Sequence, residues 1–337
     1  MRHPAPILVP GATDDQGAGA VRSILRPLVA PARLQASTIQ LLTLLMFVAA
    51  SVSVDNFLSG SNVAAILYSA SAVGIAASAL ATVTIGGNLF ALSLAPTAAF
   101  ASILFAGNLQ HGVAFASAAA LGMGVLVGLV QGTVVGLLRC NPIISSIAAG
   151  SIIAAIATLA SGGRTILATG DANWLGNGVL LPGLPCQALL FLLAAVGLDH
   201  VLQRTRRGRE LRLRGTNPQA AEIAGMRTRS VVLISYAICG LGAAAAGVLI
   251  AAQSGTGNMR VGGDLDFSAI AAVLVGGVAI GGGRGRVIDA AAGAVFLAVL
   301  TNILLVNNFA YEVQLMVKGL AVLAAVTAGA LLARVRR

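Results

Sequence analysis

The chain has 337 residues, 57% of them hydrophobic and only 9% charged, with a net charge of +10. A soluble globular domain carries roughly 25% charged residues, so the composition sets that class aside and points to an integral membrane protein. A nucleic-acid surface is also set aside, because aromatic residues make up only 4% and the arginines flank apolar runs, where positive-inside topology accounts for them.

Residues 1–36 hold Pro4, Pro6, Pro10, Gly11, Asp14 and Asp15, then Arg22, Arg26 and Arg33, and read as a flexible cytoplasmic tail. The apolar run that follows lacks an early small-residue cleavage site, so it reads as a retained helix and not a signal peptide. Residues 37–337 form the transmembrane part, with candidate spans at 37–54, 63–85, 88–107, 112–138, 142–161, 179–202, 230–253, 267–282, 287–306 and 312–333. These runs suit a hydrocarbon core of about 30 Å and do not alternate with period two. An all-α, polytopic fold of about ten segments follows, since in lipid each backbone group needs an internal partner. With both termini in the cytoplasm, Arg139, Arg284, Arg286, Arg334, Arg336, Arg337 and the long arginine loop all lie inside, while only Arg164 and Arg260 lie outside.

Two places interrupt this pattern. Gly86, Gly87, Asn88 and Pro96 fall in apolar context, and the span at 267–282 is short and glycine-rich. Each is either a broken or re-entrant helix lining a pathway or a site of close helix packing through small residues. GGNL at residues 86–89 and GGDL at 262–265 are alike, but four residues do not establish a repeat. Of the outer loops, residues 161–178 carry Trp174, an interfacial anchor or a stacking surface, and residues 254–267 carry Asn258, Arg260, Asp264 and Asp266, a solvated loop or a docking surface for a soluble partner.

Signs of catalysis are lacking. GGGRGR at residues 281–286 has neither the lysine nor the hydroxyl residue of a phosphate-binding loop. His3, His111 and His200 are dispersed, and Cys140, Cys186 and Cys239 read as small packing residues, so neither a metal site nor a cofactor is expected. Lys318 is the clearest ionisable group inside a span, where it either meets polar groups such as Asn302 or snorkels. Asp199 and Asp289 lie near cytoplasmic ends with Arg204 and Arg286 close by, and no chain of buried acids suited to a proton pump is present.

The one long polar interval, residues 203–229, carries eight arginines against Glu210 and Glu222. Within it Asn217 and Pro218 make a helix start, an amide cap followed by a proline that fits the first turn, and Gly225 makes a stop. The short helix between them, with Ala220, Ala221 and Ala224 as a small face, is either a surface helix or one that sits in a partner's groove.

GTNPQAAEIAGM, residues 215–226, resembles the G-x-N-x-x-A-A-x-x-x-G coupling loop of permease subunits of bacterial ABC importers of the ribose, xylose and arabinose class. DFSAIAAVLVGGVAIGGGRGRV, residues 266–287, and QLMVKGLAVLAAV, residues 314–326, are similar to later segments of that family, whereas IGGNLFALSLAP departs from its usual G-G-x-D-L-S-x-G. The resemblance implies an inner-membrane permease that imports a monosaccharide or similar small polar solute and hydrolyses no ATP itself. Its implied partners are two ATPase subunits, a periplasmic solute-binding protein and a second copy or a related permease. Gly215, Asn217, Pro218, Ala220, Ala221 and Gly225 would couple to the ATPase, and Gly86, Gly87, Asn88, Asn302 and Lys318 are candidates for the pathway. An ion-coupled carrier and a polytopic membrane enzyme or scaffold are the alternatives.

Overall fold

A computed structural model describes residues 31–53, 56–181 and 184–334. Most of the expected tail lies outside these residues; helix α1, Pro31–Ser53, already runs from residue 31. There follow α2 (Gly60–Ile85), α3 (Leu94–Asn108), α4 (Val113–Gly136), α5 (Pro142–Ser161), a four-residue α6 (Asn173–Gly176), α7 (Cys186–Arg204), α8 (Arg206–Thr216), α9 (Pro218–Ile223), α10 (Thr228–Ser254), α11 (Leu265–Val275), α12 (Val287–Val306) and α13 (Tyr311–Arg334). Each expected span coincides with a helix. Among the described residues six helices, α2, α4, α5, α7, α10 and α12, are long and apolar enough to cross a membrane, and the protein is an all-α membrane protein.

Three boundaries depart from expectation for local reasons. The span expected over 179–202 starts as helix only at Cys186, because Val179–Leu181 and Leu184–Pro185 pair as short antiparallel strands and Pro185 is extended at φ −61°, ψ 145°. The third span starts at Leu94, after a non-helical stretch opened by Gly86 and by Gly87 at φ +78°. The eighth ends at Val275, where Gly276 and Gly277 begin a loop that lasts to α12.

Helices α2 and α10 form the centre, and α2 is buried almost without interruption from Ala70 to Ile85. Lipid chains are as apolar as leucine, so such a bundle rests on close packing and on hydrogen bonds between helices. Gly124, Gly128 and Gly132 of α4 let it lie against the backbone of α10 at Gly240, Tyr236 and Leu233, where a Cβ has no room. At the start of α2 the amides of Asn62 and Asn302 exchange hydrogen bonds of 3.1 and 2.8 Å, which locks α2 to α12. Asn302 is therefore committed to Asn62 and does not meet Lys318.

The loops gather at two ends. At one, here the arginine face, lie the turn after α2, the end of α4, helices α8 and α9, and the loop between α11 and α12. At the far face, Ile166–Leu167 pairs with Thr256–Gly257, closing the loop after α5 onto the end of α10.

Between the faces, the chain after α10 turns back into the bundle beside α3. Gly257 packs on the Ser102 carbonyl, a Cβ on Gly262 would lie 3.6 Å from the Ala98 side chain, and Asp266 Oδ1 accepts hydrogen bonds from the Leu94 and Ala95 N–H groups at 2.8 and 3.1 Å. Helices α3 and α11 thus begin inside the bundle and run to opposite faces. Of the two interruptions flagged in the sequence, the first is non-helical backbone leading into the short helix α3, and the second is the short helix α11 followed by a loop from Gly276.

The arginine loop and the glycine junction beneath it

The loop is more structured than its composition suggests. Thr205 Oγ1 accepts from the Gly208 N–H at 3.1 Å and starts α8, which turns Gly208, Leu211 and Gly215 inward while Arg207, Arg209 and Leu213 face out. The sequence reading missed this helix. The signal was present in the threonine cap and in small or apolar residues at offsets of three and four, which mark one helical face.

Helix α9 has the ends expected of it. Asn217 Oδ1 accepts from the Ala220 N–H at 3.0 Å and Pro218 occupies the first turn. At the other end Gly225 stands at φ +71°, its N–H donates to the Glu222 carbonyl at 3.0 Å, and the Met226 N–H donates to the Ala221 carbonyl at 3.1 Å. These paired bonds satisfy the last carbonyls in the glycine-dependent manner of a Schellman stop. Ala221, expected on an outward alanine face, instead turns inward and is 3% exposed. The outward face consists of Ala220, Ile223 and Ala224, with Ile223 89% exposed.

Beneath α9 three glycine stretches from separate parts of the chain meet. A Cβ on Gly87 would lie 2.9 Å from Gly215 Cα, one on Gly282 would lie 2.5 Å from Gly87 Cα, and one on Gly215 would lie 2.6 Å from Gly283 N and closer still to the Ile85 carbonyl oxygen. Gly283 N–H donates to that carbonyl at 2.8 Å. Only backbone fits here, so Gly215 is a packing residue of α8 and not part of the outward face. Gly86, Gly87 and Asn88 belong to this junction at the arginine face.

Charge pairs tie the junction to its surroundings. Arg214 Nη1 donates to the Gly86 carbonyl at 2.5 Å, and both Nη atoms lie 3.4 Å from Asn88 Oδ1. Burial pulls the Arg214 guanidinium below its usual range, against the opposing pull of Tyr236 and Glu222. Arg139, at the end of α4, grips both oxygens of Glu222 on α9 at 3.2 Å. On the other side Arg286 Nη2 lies 2.7 Å from Asp199 Oδ2, the Val287 N–H donates to Asp199 Oδ1 at 3.2 Å, and Gln203 also donates to this carboxylate. The hydrogen bond to Asp199 raises the Arg286 pKa, while burial lowers that of its neighbour Arg212. Arg286 also supplies the N–H that Asp289 Oδ2 accepts at 3.1 Å, opening α12.

The remaining ionisable groups sit where the short helices begin. Lys318 Nζ lies 3.5 Å from Asp264 Oδ2, whose side chain stays 42% exposed, whereas Asp266 is turned onto the start of α3, so neither the soluble-partner nor the solvated-loop reading of residues 254–267 fits Asp266. The sequence reading had placed both acids in an outer loop because nothing in their spacing shows that the chain re-enters. Of the cysteines, Cys186 and Cys239 are buried as expected and Cys140 is exposed.

Comparison with known proteins shows the family of the chain. Residues 62–326 match the family described as branched-chain amino acid transport system / permease component. The probable ABC transporter permease protein YphD of Escherichia coli (strain K12) is 29% identical over 292 residues, 86% of this chain and 87% of its own. The ribose import permease protein RbsC of the same strain is 28% identical over 304 residues, covering 87% of this chain and 92% of that protein. Its L-arabinose transport system permease protein AraH is 30% identical over 290 residues, or 83% and 86% of the two chains. No solved structure matches the chain. The chain belongs to the ABC-transporter permease family whose description is branched-chain amino acid transport system / permease component.

Proposed function

We propose that this permease is the membrane-spanning subunit of an importer in the bacterial inner membrane, with both termini and the arginine face in the cytoplasm. It moves a monosaccharide or similar small polar solute, received from a periplasmic binding protein. Energy comes from ATPase subunits docked on α9, and a second copy or a related permease completes the transporter. The similarity to ribose and arabinose permeases supports the substrate class.

The observation that carries the reading is the linkage of α9. Its outward face is small and apolar at Ala220 and Ala224, with Ile223 projecting, which suits a groove on a partner. Its inward side is fastened to α4 by Arg139 and Glu222, and through Gly215 to the turn after α2 and to the loop before α12. A push on α9 therefore reaches the approaches to both short helices. The proposed pathway runs along the edge where α3 and α11 begin, with Asp264 and Lys318 as its polar groups and Gly86, Gly87 and Asn88 at its cytoplasmic end. Asn302 drops out of it, its amide being taken by Asn62.

The test is uptake into proteoliposomes holding the permease, its cognate ATPase and the binding protein. Monosaccharide uptake that needs ATP supports the reading. Leucine in place of sugar would redefine the solute, and uptake that follows an ion gradient without the ATPase would overturn the mechanism.

A further inference from the structure

At the arginine face a cavity of about 390 Å³ opens between α9, the end of α4, the start of α10 and the turn after α2. Its charged lining consists of Arg139, Arg214 and Arg229 against the single carboxylate of Glu222, so positive charge is in excess. Glu222 is already held by Arg139 through both oxygens. Arg214 reaches neutral acceptors, the Gly86 carbonyl and Asn88 Oδ1. Asn88, which lines the same cavity, is 4% exposed, and its buried Nδ2 has no hydrogen-bond partner.

A half-buried guanidinium among neutral acceptors and a buried amide donor without a partner make a donor set suited to an anion. The amide donor left without a partner costs about 1–3 kcal/mol. The donors approach from α2, α4, α8 and α10. A planar carboxylate matches one guanidinium fork, whereas the tetrahedral oxygens of a phosphate serve several donors from different directions. We propose that this cavity binds a phosphate-bearing anion at the base of α9, either a soluble phosphate or the headgroup of an anionic lipid. Because Arg139 is both a wall of the cavity and the partner of Glu222, the bound phosphate competes for Arg139 and slackens the fastening of α9. The site goes beyond the transport reading, which ATP-driven uptake tests separately.

The experiment uses the full chain assembled with its ATPase in phosphatidylcholine nanodiscs and titrated with inorganic phosphate by calorimetry. Saturable binding that weakens about ten-fold or more in Arg214→Gln supports a soluble ligand, the loss expected for a charge-assisted hydrogen bond. In a second arm the discs contain phosphatidylglycerol and retained lipid is counted by native mass spectrometry. Retention that is lost in the same variant supports the headgroup source. Should Arg214→Gln fail to fold, the double variant of the exposed pair, Arg139→Gln with Arg229→Gln, carries the test in both arms. Absence of saturable binding in both arms, or binding unchanged in a folded variant, overturns the proposal.

Discussion

Replacing Gly215 with alanine puts a methyl group against backbone that cannot rotate away. The Cβ would stand 2.6 Å from Gly283 N and closer to the Ile85 carbonyl oxygen, where ordinary contact begins at 3.4 Å, so α8 must retreat by more than an ångström. Overpacking of this kind costs about 1–3 kcal/mol. Parting Ile85 from Gly283 to make room also gives up their 2.8 Å hydrogen bond, about 1 kcal/mol more. The bundle, held by α2, α10 and α12, should survive that loss with a lower melting temperature. The retreat moves α9 relative to the turn after α2, so ATP hydrolysis should continue while solute uptake per ATP falls several-fold. Proteoliposomes in which both rates are measured make the comparison, with Gly197→Ala as control because nothing lies within 4 Å of that position. Wild-type melting and wild-type coupling in Gly215→Ala would refute the assignment of a backbone-only junction.

Three further outcomes follow from the same contacts. Asn217→Ala removes the cap on the Ala220 N–H and Gly225→Leu forces a bulky residue to φ +71°, each costing about 1–2 kcal/mol. Confined to a six-residue helix, that cost unravels α9, so the double variant should express normally and lose ATP-driven uptake. Glu222→Gln breaks a pair whose side chains are 65% and 46% exposed, so solvent screening keeps the change in stability under about 1 kcal/mol. Uptake should fall nonetheless, since this is the fastening of α9 to α4; unchanged uptake argues against that link. Asp266→Ala leaves the Leu94 and Ala95 N–H groups without an acceptor inside the bundle, at about 1–3 kcal/mol. Asp266→Asn keeps an acceptor oxygen, so melting temperatures measured by scanning fluorimetry should rank wild type, then asparagine, then alanine.

How much of this was legible in the sequence depended on whether the signal was local. The spans at 142–161 and 287–306 match α5 and α12 to the residue, because hydropathy, the Asn141–Pro142 cap and Gly162 stop of α5 and the asparagines after α12 act within a few positions. The ends of α9 were legible for the same reason. Asn217, Pro218 and Gly225 act on backbone groups two to four residues away, and no distant neighbour decides their roles. What α9 touches was not legible. Ala220 and Ala221 are equivalent in sequence, yet one faces out and the other in, because the orientation of α9 is set by Glu222 meeting Arg139, 83 residues away. The junction of Gly87, Gly215 and Gly282 likewise joins a turn, a helix and a loop that no spacing rule connects, and the partner of Lys318 is visible only because the chain after α10 re-enters the bundle.

That re-entry sets a second short helix beside the first. Gly87, at φ +78°, stands in the non-helical stretch before α3, and Gly262, at φ +68°, in the turn before α11. Since α3 runs to the far face and α11 to the arginine face, the two arrangements are inverted with respect to each other. Their N-termini, each bearing the partial positive charge of a helix start, are brought together between the faces with little water to screen them. Asp266 answers this directly by accepting the first N–H groups of α3 while lying in the first turn of α11, so one carboxylate serves both helix starts. Asp264, the residue before α11, adds a second negative charge, and Lys318 from α13 balances it. The polar groups within the bundle are thus a consequence of breaking two helices at one level, and they leave Asp264, 42% exposed, on the edge along which a polar solute would pass.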